Sequence, residues 1–132
     1  MKTLSSVESF TGGAFAAKIV RIPGASKFFK GALVTYANEI KEKLGVDTSA
    51  GVVNSKIARE MALKGKEFFN TDFCVSFTGN AGPDVLDNKP VGRIYISINE
   101  EVFEFNLKGS RSEIIDQAVN IAFEMLITQN KL

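Results

Sequence analysis

The chain has 132 residues, with 16 basic and 15 acidic side chains, one cysteine and no histidine. That length suits one domain over residues 1–132, large enough to bury its own core. The composition excludes a Ser–His catalytic pair, a histidine-ligated or multi-cysteine metal site and an internal disulfide, and a net charge of +1 gives no sign of a nucleic-acid surface.

The first predicted element is a short buried strand over Thr3–Glu8. Thr11-Gly12-Gly13 then precedes Ala14–Val20, an alanine-rich helical run with Thr11 as the predicted N-cap, which Pro23-Gly24 ends. Lys30–Tyr36 is apolar and β-prone and reads as a strand. Asn38 is placed to cap a short helix over Glu39–Leu44, and Gly45 to stop it. Asn54 or Ser55 opens the next helix, in which Ile57, Met61 and Phe68 recur at helical spacing.

Asp72–Thr78 reads as a second strand, and Cys74 within it as a buried, inert thiol. The stretch from Gly79 to Pro90, with two glycines and two prolines, reads as a loop. Val91–Ile98 and Val102–Leu107 alternate as strands, with Glu100-Glu101 as the predicted turn between them. Ser110–Gln129 is the clearest helix: Ser110 and Glu113 match a capping box, and Ile114, Ile115, Ala118, Ile121, Ala122, Met125 and Leu126 form one apolar face. Strands and helices alternate early and a hairpin follows late, which predicts a three-layer α/β/α sandwich with a mixed sheet. No run of 18 apolar residues exists, and the first dozen residues lack the basic-then-apolar order of a signal peptide. A cytoplasmic protein without membrane contact is the default expectation.

Four segments carry chemistry. A strand leading into Ser9-Phe10-Thr11-Gly12-Gly13 and then a helix leaves backbone N–H groups free for a phosphate or an oxyanion; a plain capped helix is the alternative. Tyr36 and Lys41 supply a phenol and an amine five residues apart. In the first turn of a helix starting at Asn38, the dipole would push Lys41 toward the neutral amine that a general base needs; otherwise it is a solvated lysine. Thr78 to Pro83 follows a strand and is either a binding rim or a simple turn. Arg111, at the start of the last helix, is placed to grip a phosphate or carboxylate, or to form a surface ion pair.

Together, Val7–Gly13, Gly31–Lys41, Val52–Ser55, Gly79–Pro83, Lys89–Gly92 and Gly109–Arg111 stand in order at the spacing of one family. The chain resembles the CinA C-terminal domain family, the nicotinamide-mononucleotide deamidases also called PncC. The resemblance implies an amidohydrolase that converts nicotinamide mononucleotide to nicotinate mononucleotide and ammonia, with no metal and no cofactor. Carried over by position, Ser9 is the nucleophile, activated by Tyr36 and Lys41. Thr11, Gly12 and Gly13 stabilise the oxyanion, and Thr78, Gly79 and Arg111 hold the ribose and phosphate.

The departures are specific. Phe10 replaces the family's cysteine, Ala37 a serine, Asn80 an aliphatic residue, and Val85-Leu86-Asp87 a glycine- or serine-rich stretch. A stand-alone form is expected, since no N-terminal nucleotide-processing domain is seen. Only seven residues precede Glu8 where the family carries a further helix, which predicts an uncovered sheet face and a partner subunit, a homo-oligomer such as a dimer. The alternative to a working deamidase is a non-catalytic nucleotide-binding or protein-interaction module.

Overall fold

The computed structural model describes residues 1–132. Its strands are β1 (Leu4–Glu8), β2 (Phe29–Val34), β3 (Phe73–Gly79), β4 (Arg93–Ile98) and β5 (Glu101–Asn106). Its α-helices are α1 (Ala14–Ile19), α2 (Asn38–Lys43), α3 (Ser55–Phe69) and α4 (Arg111–Thr128). The strands form one mixed sheet in the order β2-β1-β3-β4-β5. β1 pairs parallel with β2 and β3, and β4 and β5 add antiparallel.

β1 is buried at every position, which is why its sequence lacks the apolar alternation of a half-exposed strand. Its serines are tolerated because they are paired: Ser5 Oγ and Thr71 Oγ1 share a hydrogen bond of 2.8 Å. On one face, Leu4, Val75, Phe77, Ile94 and Ile96 pack against Phe15 and Ile19 of α1 and against Ile114, Ala118 and Leu126 of α4. On the other, Val7, Cys74 and Tyr95 pack against Ile57, Ala58 and Met61 of α3. Each fully buried large apolar side chain contributes about 1.5–3 kcal/mol. Gly65 sets the approach of α3, since an added Cβ would lie 2.4 Å from Val7 Cγ2 and 2.6 Å from Cys74 Sγ.

This is the three-layer α/β/α sandwich with a mixed sheet. The expectation of a bare sheet face is not met: α3 covers one side and α1 with α4 the other. β2 ends at Val34 rather than Tyr36, because Thr35 to Ala37 leave the ladder toward α2. The hairpin turn is Asn99-Glu100, one residue earlier than predicted, with Ile98 opposite Glu101 and Asn99 at φ 53, a left-handed conformation that asparagine tolerates. The capping box of α4 is present in both directions, and Asn54 caps α3 by accepting the Ile57 N–H at 2.9 Å. Burial pushes the Cys74 thiol up to about 12. No helix is long and apolar enough to cross a membrane.

Candidate active site

The bend after β1 and the segment after β2 emerge side by side, because the two strands are parallel neighbours. The Thr35 N–H still donates to Glu8 O at 2.8 Å beyond the ladder. α2 then folds back and delivers Lys41, only 1% exposed, toward the end of β1. Its Nζ stands 2.9 Å from Ser9 Oγ, 2.7 Å from the Thr35 carbonyl and 3.1 Å from the Tyr36 carbonyl. No carboxylate lies within ion-pair distance of the amine.

Burial without a counter-charge lowers the Lys41 pKa from 10.5 to about 8. The predicted cause was different. α2 starts at Asn38 behind an N-cap at Ala37 that makes no side-chain cap, so Lys41 lies in the last turn of a six-residue helix. There the dipole favours a cation; desolvation is what makes the amine basic in the useful range. The three contacts serve either protonation state, since the ammonium donates to both carbonyls and to Ser9 Oγ. A neutral amine has two N–H groups for the two carbonyls and one lone pair for the Ser9 hydroxyl.

Tyr36 is brought to the same place, with its phenol on a different partner from the one expected. Its phenol oxygen accepts from Arg111 Nη2 at 2.8 Å, and its main-chain carbonyl, not its hydroxyl, touches Lys41. Arg111 Nη1 also donates to the Gly82 carbonyl. The guanidinium thus ties the start of α4 to the segment after β2 and to the loop after β3, with no ion-pair partner of its own.

The glycine turn also differs from expectation. Thr11 does not cap α1; Gly13 occupies the N-cap position in a left-handed conformation. The cap is Glu8, fully buried at the end of β1. Its carboxylate accepts from the Thr11 hydroxyl at 2.8 Å, from the N–H groups of Gly13, Phe15 and Ala16 at 3.0–3.1 Å, and from the Ser6 hydroxyl at 3.2 Å. The Gly12 N–H is held by the Ser9 carbonyl at 3.1 Å. Gly12 and Gly13 therefore have no donor left for an oxyanion, and Thr11 turns its hydroxyl inward. In that bend the N–H groups of Phe10 and Thr11 are the ones with no acceptor in the chain. A carboxylate at the last strand position before such a turn is a hint of this cap that becomes specific only once the helix start at Ala14 is known.

Ser9, Tyr36, Lys41, Thr78, Gly79 and Arg111 line one cleft of about 260 Å³. Thr78 donates its hydroxyl to the Val52 carbonyl at 2.6 Å. Asn38, Asn80 and Asp87 also line the cleft and had been given no functional role. Phe10 is 5% exposed and joins the apolar core beneath α1 and α4, so the residue in place of the family's cysteine serves packing as well as the cleft wall. Larger hollows along α4 and at Val20–Phe29, about 400 and 470 Å³, hold no nucleophile beside a lowered-pKa amine. The structure shows no cluster of metal-ligating side chains.

The chain is similar in sequence to known proteins and in fold to solved structures. A putative competence-damage inducible protein of Listeria innocua is 40% identical over 135 residues, covering 94% of this chain and 32% of the relative. A CinA-like protein of Flavobacterium psychrophilum is 40% identical over 134 residues, with 94% and 32% covered. The chain thus spans about a third of the length of the curated relatives it matches. Among solved structures, a competence-damaged protein (CinA) superfamily protein from Klebsiella pneumoniae superposes with a TM-score of 0.90 at 25% identity, covering 95% of this chain and 84% of that one. The competence/damage inducible protein CihA from Agrobacterium tumefaciens gives 0.87 at 33% identity, with 98% and 86% covered. The family model described as the CinA C-terminal domain matches residues 1–129, and the chain belongs to that family.

Proposed function

We propose that residues 1–132 act as one serine amidohydrolase domain that hydrolyses the carboxamide of nicotinamide mononucleotide, giving nicotinate mononucleotide and ammonia. The observation that carries this reading is the 2.9 Å contact between Ser9 Oγ and a buried amine with no counter-charge. The family resemblance supplies the substrate.

The chemistry follows from the contacts. The neutral Lys41 amine takes the Ser9 hydroxyl proton as Oγ attacks the carboxamide carbon. The electron-withdrawing pyridinium ring makes that carbon easier to attack. The Phe10 and Thr11 N–H groups, free of acceptors, are the donors for the tetrahedral oxyanion. Lys41 returns the proton to the departing nitrogen, the carbon–nitrogen bond breaks, and ammonia leaves a nicotinoyl ester on Ser9. Water then gives a proton to the same amine and attacks the ester, and Ser9 leaves with that proton. Arg111, Thr78 and Gly79, on the cleft wall, hold the ribose and phosphate.

The test is ammonia release from nicotinamide mononucleotide, measured with wild type and Ser9→Ala. Turnover by the wild type and none above background by a folded Ser9→Ala variant are expected. Full activity in that variant would falsify the nucleophile assignment.

A further inference from the structure

Besides the Tyr36 phenol, three ionisable side chains line the Ser9 cleft: Lys41, Arg111 and Asp87. The first two are cationic or potentially so, and both already have contacts that explain their placement. Asp87 does not. It stands on the loop between β3 and β4, where its Oδ2 accepts the N–H groups of Val52 and Val53 at 2.7 and 2.9 Å. Its Oδ1 takes no hydrogen bond, and no cation of the chain lies within ion-pair distance.

This carboxylate is seated by its surroundings. Asp87 and Asn88 have φ of 55 and 57, forming a tight turn closed by the bridge between Leu86 and Lys89. Gly51 leaves room for it, since a Cβ there would lie 2.9 Å from Oδ2. One oxygen is thus fixed against main-chain amides while the other stays open. The cleft carries an unpaired anion on one loop and an unpaired guanidinium where α4 begins, so it matches a ligand bearing charges of both signs.

We propose that Asp87 is a specificity residue that recognises positive charge on the ring bearing the scissile amide, while Arg111 takes the anionic end of the substrate. The inference rests on the amidase reading above and deepens it by assigning the residue that senses the charge of the ring. Asp87 is exposed, so the attraction is that of a partly solvated ion pair, about fivefold in affinity.

The test uses Ser9→Ala as a non-turning host, with dissociation constants from calorimetry. The ligands are nicotinamide mononucleotide and its reduced form, which keeps the amide, ribose and phosphate and lacks the ring charge. Ser9→Ala is expected to bind the charged form about fivefold more tightly. Adding Asp87→Asn is expected to abolish the preference, because the amide oxygen still accepts from Val52 and Val53 while the charge is gone. Adding Asp84→Asn, on the same loop but outside the cleft, is expected to leave it intact. In Ser9→Ala alone the preference should shrink toward unity between about 0.02 M and about 0.5 M salt, a readout that needs no change at Asp87. A preference that survives Asp87→Asn, vanishes with Asp84→Asn or ignores salt overturns the proposal. The reaction is judged separately by ammonia release from wild type. A preference dependent on Asp87 without ammonia retains the specificity role and removes the amidase, whereas no binding of either form removes both.

Discussion

Arg111 holds the phenol oxygen of Tyr36 at 2.8 Å, across 75 residues of chain, and no hydrogen bond joins that phenol to Ser9 or Lys41. The phenol stands outside the hydrogen-bonded path from Ser9 to Lys41. Tyr36→Phe is therefore expected to lower kcat by less than about threefold while raising KM, because only the mouth loosens. Steady-state ammonia assays separate the two constants. A kcat loss of about a hundredfold or more would return the phenol to the proton path.

Lys41 is expected to be irreplaceable. Lys41→Arg keeps a cation but cannot become neutral near pH 7, and Lys41→Met keeps the length without the base. Each should lower kcat/KM by about a thousandfold or more, comparable to Ser9→Ala. The double variant with Ser9→Ala should lose little more than either single one, since the two groups act as a unit.

The pH dependence has a definite sign. The folded amine releases its proton near 8, so kcat/KM should rise about tenfold per pH unit below that value and level off above it. Stability follows the same group. From about 8 to 10.5 the unfolded chain holds a proton that the folded chain has released, so folding becomes more favourable as pH rises through that window. Between about pH 8 and about pH 10, the unfolding free energy of wild type minus that of Lys41→Met should climb by about 2 kcal/mol in urea titrations. A flat difference would mean that the amine is not desolvated.

Glu8 is expected to be a stability residue of unusual weight. Its carboxylate is the common acceptor for Thr11, Gly13, Phe15, Ala16 and Ser6 inside the core. Glu8→Gln puts an NH2 group among those donors and leaves at least one of them unpaired. The loss should be about 2–4 kcal/mol in chemical denaturation, with no change in cleft charge. A loss under about 0.5 kcal/mol would mean that the turn has other support.

What could be read from the residues was mostly local. The Ser110–Glu113 capping box and the Asn54 cap are complete within four residues, so they were visible at once. The order of strands and the family spacing located Ser9, Lys41 and Arg111 near one another in the chain's logic. The roles of Glu8 and Asp87 were not visible, for a common reason. Glu8 reaches donors as far as eight residues on, and only once the helix has started at Ala14. Asp87 reaches amides 34 and 35 residues back, across the sheet. The basicity of Lys41 was expected from the helix dipole, yet it comes from burial beneath segments that meet only in the folded chain.

Thr35 receives the Lys41 amine on its carbonyl and gives its own N–H to the carbonyl of Glu8, the residue before Ser9. The separation between Ser9 and Lys41 is consequently a property of how two neighbouring strands are aligned. A slip of one position between β1 and β2 would carry the amine about 3.3 Å along the strand and silence the pair with every reactive atom still present.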